Sequence, residues 1–322
     1  MSQGEKGIVI PFPLALAILQ SERHPKGVRS ATVQITARRF DFRNLVQSHG
    51  WVYLSPWQWS ADQGVLSRPL ETGNGRSMPV SVRVVQDGEK SVVHWESNGT
   101  ARLRDEDRRL IRSQIRRMLC LDIDYSPFQE VCAKHPELRF VHQRRCGGML
   151  RCPTAFEDLI KTVCTTNCDW RNTERMCDSL CQLNSGAFPT PEILLRHSES
   201  QLSQLVPLGY RARTVLQIAR IFHEDEPPLD QWAMAGDFES IRGFLRGIHG
   251  VGPYSVNHML VLLGYYGEIP VDSEVLKYVS KLHFQNERIT PKEAAVPYAE
   301  YGEFRFLAYK FLRQAWRKKG IG

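Results

Sequence analysis

The stretch "GIHGVGPYSV" (247–256) sets Gly250, Val251 and Gly252 between two apolar-periodic segments. Ile241, Phe244, Leu245 and Ile248 precede it, and Val256, Leu260 and Leu263 follow it. This pattern predicts two helices joined by a tight corner. Glycines let a partner's backbone come close because no Cβ is in the way. The first N–H groups of the second helix have no partner within it, and Pro253 suits its first turn. The positive end of that helix is an anion site. On a chain of net charge +7 the natural anion is a phosphate, held without its base being read. The plain alternative is a helix–helix turn. Next comes "GEIPVDSEV" (267–275), where Asp272 precedes a new apolar helix as an N-cap would. The extended Ile269-Pro270-Val271 would carry that carboxylate back beside the start of the second helix. Phosphates repel a carboxylate held there, so the arrangement is costly unless it does chemistry.

The elements that must position these groups fall into two regions. The first, 1–126, reads as β-rich. "SATVQITARRFDF" alternates apolar and polar residues, and "VSVRVVQDGEKSVVHWES" is two such runs around Asp87-Gly88, a hairpin signal. Trp51, Trp57, Trp59 and Trp95 supply bulk for one face of a sheet. "LRDEDRRLIRSQIRRMLCL" reads as an amphipathic helix with Leu110, Ile111, Ile115, Met118 and Leu119 inside. Arg108, Arg109, Arg112, Arg116 and Arg117 make its other face, for solvent or for phosphate. The second region, 127–322, reads as helical, with segments at 154–167, 171–183, 190–196, 199–205, 210–223, 238–247, 253–264, 273–282 and 300–317. The fold class is α+β: an antiparallel β-rich N-terminal domain, then a mostly α-helical domain.

The remaining composition narrows the class. Hydrophobic residues make up 42% of 322, enough for a sizeable core. "MSQGEKGIVIPF" lacks the basic start and long apolar stretch of a signal peptide, and no apolar run reaches the roughly 20 residues of a membrane span. An intracellular location is expected, nuclear in a eukaryote or cytoplasmic in a bacterium. All eight cysteines lie between Cys120 and Cys181. The four-residue spacings Cys164–Cys168 and Cys177–Cys181 place each pair on one helix face, for packing or for a metal.

"GIHGVGPYSVNHMLVLLGYYGEIPVDSEV" resembles the helix-hairpin-helix (HhH-GPD) base-excision DNA glycosylases, whose motif is L/I-x-G-V-G, a second helix, and a loop with P-V-D. "LVPLGYRARTVLQIARIF" and "LRCPTAFEDLIKTVCTTNCDW" are similar to stretches of the 8-oxoguanine branch, and the first domain loosely resembles those of the 8-oxoguanine and 3-methyladenine branches. The resemblance covers roughly 140–315. It implies that Gly250, Val251 and Gly252 bind a phosphate, with a monovalent cation at the hairpin carbonyls. It implies that Asp272 is the catalytic carboxylate, that Tyr210 wedges into the base stack, that Arg211 contacts the orphaned base and that Asn167 fills the gap. Such insertion is needed because extruding a base costs a few kcal/mol.

One departure matters most. Bifunctional members carry a lysine two residues after the hairpin's last glycine, and here Tyr254 stands there. A phenol cannot form an imine, so a monofunctional enzyme with water as nucleophile is expected. Tyr254, His258, Tyr309 and Arg305 are expected to line the base pocket. Arg305 stands where the 8-oxoguanine branch has a base-reading glutamine, a departure from 8-oxoguanine recognition, while aromatic stacking on a residue such as Tyr309 favours an alkylated purine over an oxidised one through cation–π attraction. No cysteine follows Cys181, so the C-terminal iron–sulfur cluster of other branches is not expected; no other cofactor is. The expected partner is double-stranded DNA with a damaged base, bound by a monomer, with no membrane. The alternatives are a bifunctional lyase with a displaced lysine, an inactive DNA-binding protein of the same fold, and an RNA-binding protein.

Overall fold

The computed structural model describes residues 33–73, 75–97 and 103–318. The stretch "MSQGEKGIVIPF", the first residues of "SATVQITARRFDF" and the end of the C-terminal "WRKKGIG" lie outside the described residues. The N-terminal region holds β1 (Val33–Arg38), α1 (Phe42–Val46), a 3-10 turn (Gly50–Tyr53), β2 (Gln58–Ser60), β3 (Val65–Glu71), β4 (Ser77–Asp87) and β5 (Lys90–Ser97). All neighbours pair antiparallel, in the order β1-β5-β4-β3-β2. The expected hairpin is present: Asp87 pairs with Lys90, and Gly88 takes φ +57° in the turn. Val80 and Val82 of β4 and Val93 and Trp95 of β5 are buried. Only Trp59 and Trp95 of the four tryptophans sit on strands. Trp51 lies in the 3-10 turn and Trp57 just before β2.

The helices follow in two groups. The first is α2 (Asp105–Met118), α3 (Ser126–Lys134), α4 (Arg139–Arg144), α5 (Ala155–Cys164), α6 (Trp170–Gln182), α7 (Pro191–Leu195), α8 (Glu199–Leu205) and α9 (Arg211–Glu224). The second is α10 (Leu229–Met234), α11 (Phe238–Arg246), α12 (Pro253–Leu262), α13 (Ser273–His283), α14 (Pro291–Ala295) and α15 (Arg305–Lys318), the last entered through a 3-10 segment (Val296–Phe304). No helix among the described residues is long and apolar enough to cross a membrane.

Two expectations need correction. On α2, Ile111, Ile115, Met118 and Leu119 are buried as expected, but Arg117 is not on the outer face. It is buried against Asp158 (2.6 Å) and Asp230 (2.9 Å), because the fully buried Asp158 needs a cationic partner. Cys168 does not share a helix face with Cys164: α5 ends at Cys164, and the Cys168 thiol turns back to donate to the Cys164 carbonyl at 3.1 Å.

The sheet domain is fastened to the first turn of α5. Thr154 caps that helix by accepting from the Glu157 N–H. Arg68 of β3 grips Glu157 with two bonds, 2.6 and 3.0 Å, and Lys161 adds a third contact at 2.9 Å. Burial opposes ionisation of Glu157, but the Arg68 and Lys161 charges hold its carboxyl down at about 2. Asp158 next to it accepts from the Trp51 indole at 2.8 Å.

Candidate active site

The corner between α11 and α12 is built as its glycines require. Gly250 takes φ +84°, where a side chain is strained, and a Cβ there would lie 2.3 Å from the Thr214 hydroxyl of α9. Gly250 and Gly252 are exposed while Val251 turns inward. Gly252 is the N-cap of α12, no side chain caps it, and a Cβ on it would meet nothing within 4 Å. The helix thus begins in open space, with its N–H groups directed outward.

The loop after α12 is tethered back to α11. Arg242 of α11 pairs with Glu268 at 3.0 Å, and Ile269 and Pro270 are buried beyond it. Asp272 then caps α13, accepting from the Val275 N–H at 2.7 Å. One of its oxygens is so occupied, and the side chain stays half-exposed. It lies close enough to Tyr254 for its charge to act there: burial and then Asp272 push the phenol up to about 12. Tyr254 is therefore neutral, and it hydrogen-bonds the Thr165 hydroxyl at the end of α5.

Beneath Tyr254 the two domains meet in neutral rings. The His258 ring is 5.6 Å from that of Tyr254. Its Nε2 is 3.0 Å from Nε2 of His49, which stacks at 4.2 Å on Trp51. Such a nitrogen pair needs one proton between them, one ring donating and the other accepting. Burial lowers His258 to about 4. Burial and then the neighbouring His258 lower His49 as well.

A second cluster lies beyond α5. Tyr210 is 66% exposed, and its hydroxyl accepts from the Asn167 amide at 3.3 Å. Asn167 adopts φ +47°. Arg211 is buried, stacked 4.6 Å from the Tyr210 ring, and donates to the Thr166 and Leu208 carbonyls. It braces the turn that carries Asn167 and leaves Tyr210 as the projecting group. On α15, Tyr309 sits in an aromatic group with Tyr298 (5.4 Å) and Tyr278 (6.1 Å), its hydroxyl accepting from Arg313 at 2.8 Å. Arg305 is half-buried at the start of the same helix.

Residues 160–300 match the family model of the HhH-GPD superfamily base excision DNA repair proteins. The helical region is thus similar to the HhH-GPD superfamily over these residues. The chain is 24% identical over 253 residues to the N-glycosylase/DNA lyase of Saccharomyces cerevisiae, matching 71% of itself and 65% of that protein. It thus spans about 65% of the length of this curated relative. In fold it is similar to a 3-methyladenine DNA glycosylase from Archaeoglobus fulgidus, with TM-score 0.67 and 17% identity over 88% of this chain and 98% of the other. It is also similar to the Clostridium acetobutylicum 8-oxoguanine glycosylase/lyase in complex with double-stranded DNA, with TM-score 0.64 and 16% identity over 92% of this chain and all of the other.

Around this site, three contributors carry no local sequence signal. Arg242 positions the Asp272 loop from α11. His49 arrives from the other domain, 209 residues from its partner His258. Lys310 of α15 donates to the Gly148 carbonyl at 3.2 Å. Burial lowers it to about 8, and its charge reaches His49. A cleft of about 640 Å³ lies elsewhere, lined by Arg116, Ile123 and Gly148 among others. Ile123 touches Gly264 just past the end of α12, about 15 Å along the helix from the hairpin. That cleft is away from Asp272.

Proposed function

We propose that this protein is a DNA glycosylase that extrudes a damaged purine from duplex DNA and hydrolyses its N-glycosyl bond, leaving an abasic site. The observation that carries the reading is Asp272, half-exposed beside the uncapped start of α12 and facing a neutral phenol. Gly250, Val251 and Gly252 hold a backbone phosphate, with room for a monovalent cation at the hairpin carbonyls. Tyr210 enters the stack, Asn167 fills the gap, and Arg211 holds both at the orphaned base. As the glycosidic bond stretches, the sugar gains oxocarbenium character. Ionised Asp272 stabilises that charge and places water at C1′. Tyr254 cannot form an imine, so the strand is left intact. Tyr254, His258, Tyr309 and Arg305 shape the base site, and the aromatic rings suit an electron-poor alkylated purine. The single chain acts alone on DNA inside the cell.

One observation favours a second reading. The yeast relative is named a lyase, which fits a lysine displaced from position 254. Such a lysine would attack C1′, expel the base and hold the opened sugar as an imine, from which β-elimination breaks the strand.

A panel of duplexes separates these readings: one each with 3-methyladenine in a stable analogue, 1,N6-ethenoadenine, hypoxanthine, 8-oxoguanine or uracil. Strand breaks only after hot alkali, lost in Asp272→Asn by a factor of about 100 or more, are the expected result. Breaks without alkali, with a borohydride-trapped adduct, would establish the second reading. Tight DNA binding with no excision of any lesion would leave only a binding protein.

A further inference from the structure

The loop between α5 and α6 touches the site in three places. Thr165 bonds Tyr254 and Asn167 bonds Tyr210. Trp170 opens α6, behind the Asp169 cap that accepts from the Asn172 N–H at 2.8 Å. The Trp170 indole crosses to the other domain. A Cβ on Gly50 would lie 2.7 Å from its Cη2 and 3.3 Å from its Cζ2 and Cζ3. The outer edge of the ring therefore abuts the Gly50 backbone, next to His49 and so to the His49–His258 pair under Tyr254. Held by its edge across the seam, the ring is still 41% exposed. Gly50 has an ordinary negative φ, so what its missing side chain supplies is room for this indole. An indole bridging the two domains beside Tyr254 and the His49–His258 pair offers a rigid face, and every base has a π-face to match it.

We propose that Trp170 is the wall on which the extruded base stacks, making the pocket selective for flat, extended purines. The inference rests on the glycosylase reading above and adds to it a specificity-determining residue. A tryptophan that merely packs the two domains together would behave differently in the following test.

The full chain is measured as wild type, Trp170→Ala, Trp170→Phe and Gly50→Ala, in three ways. These are single-turnover excision of the lesion the wild type removes best, affinity for that lesion on a cleavage-resistant 2′-fluoroarabino sugar, and affinity for a tetrahydrofuran duplex, which has no base. Stacking predicts that Trp170→Ala loses about tenfold or more in excision and in lesion affinity, keeps tetrahydrofuran affinity within about twofold, and is largely rescued by phenylalanine. Gly50→Ala pushes the ring aside and lowers excision in the same direction. The proposal is overturned if Trp170→Ala weakens both duplexes equally, if it excises within about twofold of wild type, or if phenylalanine does not rescue it. Should Trp170→Ala fail to fold, Trp170→Phe and Gly50→Ala still decide between these results. A wild type that neither excises nor prefers lesion DNA sinks the glycosylase reading itself, an outcome distinct from any of these.

Discussion

The two domains meet at two polar seams, both reached from α5, and the seams are built oppositely. At the first turn of α5, Glu157 is enclosed by Arg68 and Lys161, and Asp158 by Arg117 and Trp51. Every charge there has a charged partner, and the groups are almost fully buried. Near the end of α5, Thr162 lies 3.5 Å from His258, and Thr165 bonds Tyr254. There the domains join through two imidazoles kept neutral and a neutral phenol. The first seam uses charge to hold position. The second removes it, so the carboxylate that acts on Tyr254 is that of Asp272. On the proposed reading, a fully paired ion cluster beside the sugar would compete for a developing cation, whereas neutral rings would leave Asp272 to act on it.

Breaking the first seam should produce the largest effect. Glu157→Ala strands a buried guanidinium and a buried ammonium, and should cost about 3–5 kcal/mol in denaturant unfolding. Asp272→Asn keeps an N-cap of similar strength and should change stability by less than about 1 kcal/mol. Comparable losses for the two would erase the distinction between the seams.

Acid should probe the second seam at nearly the same size. His258 titrates at about 4 in the folded protein against an ordinary 6.5. Between those values the unfolded chain binds more protons, so this stability is fully present above 6.5 and is lost as pH falls toward 4. The gap is worth about 3 kcal/mol. Glu157, with its lowered pKa, acts in the same direction only below the ordinary 4.5. Thermal melts from pH 7 to 5 should therefore slope less in His258→Asn than in wild type; equal slopes would mean that the imidazoles do not report there.

The smallest effect comes from the hairpin, where position alone separates two glycines. Gly250→Ala meets both a positive φ and Thr214, and should cost about 1–3 kcal/mol. Gly252→Ala meets nothing, and should leave stability within about 0.5 kcal/mol. Both should weaken duplex binding in a fluorescence titration, since both add a methyl at the proposed phosphate contact. If Gly252→Ala binds as well as wild type, that end of α12 is not the contact.

Much of this arrangement is written in short-range pattern. The glycine corner, the cap at Asp272, the Asp87-Gly88 hairpin, the limits of α8 and the start of α12 follow from spacing, turn chemistry and apolar periodicity, which act over a few residues. Periodicity has less hold where a helix ends: it extends α5 to 167, but the helix stops at Cys164. The left-handed turn at Asn167 that follows exists because Arg211 and Tyr210 brace it from another helix.

What tertiary structure alone decided are the partnerships between distant segments. Arg117 reads as one more arginine on a basic helix face until Asp158, buried by the packing of α5, claims it. Tyr309 reads as one aromatic on a helix, and its place among Tyr278 and Tyr298 comes from the 3-10 segment and α13 converging on α15. His49 and Trp170 carry no periodic signature at all. Their roles come from one crossing of the domain seam, where Gly50 leaves space for an indole and His49 reaches His258. Local pattern determines which backbone groups can bind and where a carboxylate can cap. Only the closing of one domain on the other determines which side chains are dry, which are neutral, and which face the site.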